Sequence, residues 1–278
     1  SMDRFTLQSS AAAAILLSAA IFSGGRRWVR WSVLGLLLVM AMVTHINNAL
    51  YYRDHWANQK QVWFQMTERS PQIQPDTVLM VLLPAGYRQA EGFAVFGPAN
   101  AIYYPQPGPI QLTAEVLNAD TVPWVLSGQS MYRAWRNVEY TRNFKNVLIA
   151  SMPSSSTCLH VLDGDSLELS SREDPLIWLV ASASQIERIQ TDGENKTPPE
   201  VIFGPPPGVT WCTLYQQASL ARQKGEWDKV AALGDEAREK QFQPGDVAEW
   251  MPFIEGYARV GRMDEARRLA ELAQKDEM

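Results

Sequence analysis

Two apolar runs with three arginines between them constrain this chain more than any other feature. Residues 5–22 (FTLQSSAAAAILLSAAIF) and 31–50 (WSVLGLLLVMAMVTHINNAL) each come close to the length a helix needs to cross a bilayer core. The link GGRRWVR carries Arg26, Arg27 and Arg30 and no acid. Short loops rich in Arg and Lys stay on the cytoplasmic side. The pattern therefore predicts this link inside, with the first residues and everything after Leu50 outside. Trp28 and Trp31 stand where an aromatic belt would lie. The opening SMDRFTL has neither a basic n-region nor a small-residue cleavage site, and reads as a piece of a longer protein rather than a signal peptide.

The second helix is predicted to outrun the bilayer. Residues 45–70 contain no Gly or Pro, and Ile46, Ala49, Trp56 and Trp63 share a stripe of 3.5-residue period. One helix should therefore end near Ser70. Tyr51 and Tyr52 mark its exit, and His45, Asn47 and Asn48 read as interfacial packing residues. The net charge of −5 is spread along the chain, and the only compact basic cluster is that of the link. No basic face for nucleic acid is present.

Beyond residue 70 the pattern becomes short apolar runs separated by Pro, Gly and Asp. Residues 77–84, 121–127, 146–152 and 158–164 read as strands, and the stretches from Gly97, Ile110 and Ala183 as helices. The expectation is an α/β outer domain with a mixed sheet over 71–207, preceded by two transmembrane helices over 1–70. Residues 191–208, with five prolines, read as a linker. Residues 208–278 are expected to form two helix pairs. Superposing Gly225 on Gly261 sets Ala221 on Tyr257, Trp227 on Met263 and Val230 on Ala266. That offset has the helix–turn–helix form of a tetratricopeptide-like repeat, with Leu220, Trp227, Val230, Leu233 and Ala237 on the core stripe. Two such units bury too little core alone, so they dock on the α/β domain or await a protein partner.

Chemistry-bearing patterns are sparse. SGQSMY places Gly128 and Ser130 as in a nucleophile elbow, but Tyr132 stands where the second Gly belongs. Asp163 and Asp165 follow a strand as D-x-D, a pattern that holds Mn²⁺ against a nucleotide sugar in some sites; an Asp-Gly turn explains them without an ion. His45, His55 and His160 have no metal-ligand spacing, and neither metal nor cofactor is expected. Asn195 opens an N-x-T sequon, which marks a surface loop. Cys158 and Cys212 are the only cysteines. On the outer side an even count favours one bridge between them, which would tie the sheet to the tail; two buried thiols are the alternative.

The run WCTLYQQASLARQKGEWDKVAALGDEA…MPFIEGYARVGRMDEA, with DRFTL, QPDTVLM, CLHVLDG and IFGPPP, resembles the C-terminal part of an uncharacterised family of large bacterial multi-spanning, glycosyltransferase-like membrane proteins. The resemblance implies that lipid-linked-sugar chemistry lies in a preceding part, with this chain as a last helix pair plus an outer domain. No active-site position carries over. The leading expectation is a non-catalytic, extracytoplasmic module in the cell membrane. It would bind a protein partner through the helical tail, or a glycan, in support of a glycosyltransferase or of envelope assembly. The alternatives are a sugar-processing enzyme using Asp163 and Asp165, and a structural subunit of a membrane complex.

Overall fold

The computed structural model describes residues 3–23, 26–84, 87, 92–135 and 138–277. By packing, the chain divides into Ser1–Trp56 and Ala57–Met278.

Helix α1 spans Asp3–Ser23 and α2 spans Arg27–Arg69. Leu36, Leu38, Val39 and Met40 of α2 are each more than half exposed. A helix with bare apolar side chains on successive positions is suited to lipid rather than to a protein core. By length and composition α2 is the one helix among the described residues able to cross a membrane; the apolar part of α1, Ala12–Ser23, is too short to do so. The expected end near Ser70 agrees with α2 stopping at Arg69. Of the predicted stripe, Trp63 is buried, whereas Ile46 and Trp56 are exposed.

The last third of α2 is a core element, with Gln59, Val62, Trp63, Met66 and Thr67 buried along one face. Then come β1 (Gln72–Ile73), β2 (Thr77–Leu82), α3 (Phe93–Tyr103), β3 (Leu112–Val116), α4 (Val122–Ser127), β4 (Ser130–Trp135), β5 (Val138–Asn143), β6 (Val147–Ser151) and β7 (His160–Val161). The main sheet has the order β3-β2-β6-β7. Strand β2 is parallel to β3 and β6, and β7 runs antiparallel to β6, so the sheet is mixed. Strand alternation assigns the two cores. Leu79, Val81, Leu112, Ala114, Leu148 and Ala150 face α2 and α3. Val78, Met80, Val147 and Ile149 face α4 and α5 (Pro175–Val180). Covering both faces is what makes β2 and β6 read as unbroken apolar runs.

Three middle segments differ from the sequence reading. Residues 121–127 form α4, not a strand: Pro123 sits in its first turn and Gly128 closes it at φ +62°. A central strand cannot hold a proline, whereas a helix start can. The stretch from Ile110 forms β3, because β2 supplies a ladder that overrides its local helical spacing. The stretch from Ala183 gives only short 3₁₀ turns before β8 (Ile189–Gln190), which pairs with β1. The proline-rich segment is held to the body as well. It contains α6 (Glu200–Phe203), whose Phe203 is buried in the same core as Trp63.

Helices α7 (Trp211–Gln223), α8 (Trp227–Glu239), α9 (Met251–Arg259) and α10 (Met263–Glu277) complete the chain. Gly225 (φ +73°) and Gly261 (φ +80°) take equivalent left-handed turns after α7 and α9, a conformation that glycine adopts without strain. Val230, Leu233 and Ala237 are buried as expected, whereas Leu220 and Trp227 are only half-buried.

Candidate functional site

The tail is joined covalently to the sheet at one place. Cys158, just before β7, is bonded to Cys212 at the start of α7, with Cα atoms 5.2 Å apart. Around this bond lies a buried ionic cluster. Glu249, fully buried in the turn before α9, accepts hydrogen bonds from the Cys158 N–H (2.7 Å), the Trp211 indole N–H (2.6 Å) and the Gly245 N–H (2.9 Å). Glu173 accepts from the Ser151 hydroxyl at 2.9 Å. His160 stands between them, with Nδ1 3.0 Å from Glu173 and Nε2 3.5 Å from Glu249. Burial alone would push the imidazole below its ordinary value. Its bonds to Glu173 and Glu249 outweigh that and hold it up at about 9. His160 is therefore an imidazolium at neutral pH. It compensates two carboxylates that would otherwise be costly to bury. A side-chain amide relay continues the seam: Gln65 Oε1 accepts from Leu159 N (2.7 Å) and Gln216 Nε2 (3.2 Å).

Beside this seam opens a polar cleft of about 220 Å³ between the loop after β7 and helices α7 and α9. Arg222 of α7 crosses it. Its Nη1 and Nη2 donate to Glu168 at 2.7 and 2.8 Å, and its Nε donates to Glu255 of α9 at 2.6 Å. Though burial works against its charge, the two carboxylates raise the guanidinium further above its ordinary range. Arg69 donates to Gln223 at 2.7 Å, and burial lowers it to about 10. Tyr215 and Trp227 supply aromatic surface, and Asp163 stands on the lip. The volume is below the roughly 300–1,000 Å³ of drug-sized sites, which leaves room for one small polar unit.

The sequence-selected acids are separated by their environments. Asp163 Oδ1 accepts from the Asp165 N–H at 3.0 Å, closing an Asx turn in which Asp163 lines the cleft and Asp165 is exposed. Among the described residues no group of three or more His, Cys, Asp or Glu side chains could hold a metal ion. Of the elbow-like motif, Gly128 caps α4 and Ser130 opens β4, and the Ser130 hydroxyl is 3.5 Å from Asn143, not from a base. His160 entered the sequence reading only as a histidine without ligand spacing. Glu173, Glu249, Glu168 and Arg222 were not singled out, since a buried acid far along the chain looks like any surface acid until the fold pairs it.

Comparison of the chain with protein-family models, with curated proteins and with solved structures finds no match.

Proposed function

We propose that the chain is a membrane-anchored, extracytoplasmic binding module. Its cleft between the β7 loop and the helical tail takes a sugar unit of a glycan, in support of a membrane glycosyltransferase or of cell-envelope assembly. The observation that carries this reading is the cleft: paired charges, the Gln223 amide, hydroxyls and two aromatic side chains around a monosaccharide-sized space. Fixed charges and amides recognise hydroxyl groups, and a flat aromatic side chain packs against a sugar face. The disulfide and the Glu249 cluster fix both walls, which lowers the ordering cost of binding. An oxidised disulfide fits the outer side of a membrane. The arginines of the link favour the same topology, with residues 5–22 as the first span. The tail, read as tetratricopeptide-like from its repeat offset, would offer its exposed side to a protein partner.

A second reading, a sugar-processing enzyme, draws on Asp163 sharing the cleft with Glu168. Glu168 is committed to Arg222, which favours binding over proton transfer. The test is glycan binding by the full chain in lipid nanodiscs, against neutral and amino-sugar oligosaccharides. Saturable binding weakened about tenfold by Trp227→Ala supports the module. Turnover abolished by Asp163→Asn with binding retained supports the enzyme. No binding to any oligosaccharide overturns both.

A further inference from the structure

A second, larger groove, of about 420 Å³, lies along the last third of α2. Ala57, Lys60, Gln61, Phe64, Gln65 and Glu68 form one wall, Glu68 being taken by the Gln217 amide at 2.8 Å, and Pro205–Pro207 with Thr210 and Thr213 form the other. The proline wall has no N–H to donate, so an extended peptide laid against it finds no donors there for its carbonyls. Apolar chains have no such need.

One buried donor in the groove lacks an acceptor among the described residues, and a half-buried cation shares the lining. Gln65 is 6% exposed, and its Oε1 already accepts two N–H groups, which fixes the orientation of the amide. Its Nε2 is left without a partner. Lys60 forms no ion pair among the described residues. Its Nζ lies against Gly204, 3.0 Å from where a Cβ would stand, which places the ammonium beside the proline wall. Buried donors without acceptors are uncommon in folded proteins and ask for an explanation. The groove also begins seven residues after Leu50, on the same helix that is long and apolar enough to cross a membrane.

We propose that this groove holds one acyl chain of an anionic membrane lipid. The lipid phosphate is met by Lys60, and an ester oxygen accepts from the Gln65 amide. The cation and the free amide give the polar end its place, and Phe64 with the three prolines gives the chain its apolar bed. The proposal needs α2 to be membrane-embedded but is independent of the glycan cleft.

The experiment uses the full chain in phosphatidylcholine nanodiscs. These are doped with phosphatidylglycerol carrying a diazirine at the end of one acyl chain. Photolysis and peptide mass spectrometry then locate the label. The expected result is label on residues 57–68 and 205–213, lowered several-fold by Ala57→Trp, which fills the groove from an exposed position. Lys60→Gln should abolish the preference for this probe over a phosphatidylcholine probe of the same chain. A melting curve matching the parent confirms that each variant is folded. Label confined to residues 31–50, groove label unchanged by Ala57→Trp, or no headgroup preference to lose, each overturns the proposal.

Discussion

Raising the pH should loosen the tail through a single buried imidazole. His160 has an ordinary value of 6.5 and is held at about 9 in the fold by Glu173 and Glu249. A base whose folded value lies above its unfolded value stabilises fully below the unfolded one, and that stabilisation is lost as pH rises through the folded one. At about 1.4 kcal/mol per pH unit, the difference amounts to about 3 kcal/mol, lost between about pH 6.5 and pH 9.5. For a unit of this size 1 kcal/mol moves the melting temperature by about 2–4 °C, so the melt should fall by roughly 6–12 °C. The assay is tryptophan-fluorescence melting of the full chain in nanodiscs at about pH 6 and pH 9.5. His160→Gln supplies the control: it is uncharged throughout and donates to one carboxylate at best. The variant should melt lower than the parent at pH 6 and show a much smaller fall with pH. Equal falls in parent and variant, or a parent that gains stability on the way up, would refute the imidazolium assignment.

Replacing Cys158 and Cys212 by serine removes a bridge closing 54 residues, and should cost about 4 kcal/mol in chemical denaturation of the nanodisc-bound chain; a loss below about 1 kcal/mol would mean that the Glu249 cluster alone secures the tail. Gly256→Ala would set a Cβ 2.4 Å from Val230 Cγ1, where α9 crosses α8. The gain in helix propensity, about 1 kcal/mol, is smaller than the overpacking cost of about 1–3 kcal/mol, so the tail should melt lower; a rise would show that the helices part freely. Since Cys158 and Cys212 are bonded, an impermeant thiol reagent on intact cells reports cleanly on added cysteines. Glu194→Cys should react and Ser23→Cys should be shielded, and the reverse pattern would invert the topology.

What was legible in the sequence followed from unbroken physical patterns. The long helix to Arg69 needed only the absence of Gly and Pro. Strands β2 and β6 needed only apolar runs bounded by turn residues, and the paired turns at Gly225 and Gly261 only a repeat offset. The bridge between Cys158 and Cys212 needed only cysteine arithmetic. Segments of five to seven residues were misread where neighbours decide. The stretch that forms β3 had helical spacing until β2 lay beside it, and α4 hid its helical start at Pro123 within an apolar run. The site was the least legible. Its partners are far apart in sequence, His160 to Glu249 by 89 residues and Glu168 to Arg222 by 54. Nothing local distinguishes such acids from solvated ones.

The position of Glu249 sets an order of events during synthesis. Its carboxylate accepts from Cys158, Trp211 and Gly245 and approaches His160, yet it is made 91 residues after Cys158. Until residue 249 has left the ribosome or translocon, His160 has only one of its two acidic neighbours. The first cysteine must also wait for the second before it can be oxidised correctly. A chain cut short before residue 249 therefore leaves the Cys158 and Trp211 N–H groups without the carboxylate that accepts them in the complete seam. Glu249 thus ties the neutralisation of the seam to the arrival of the tail.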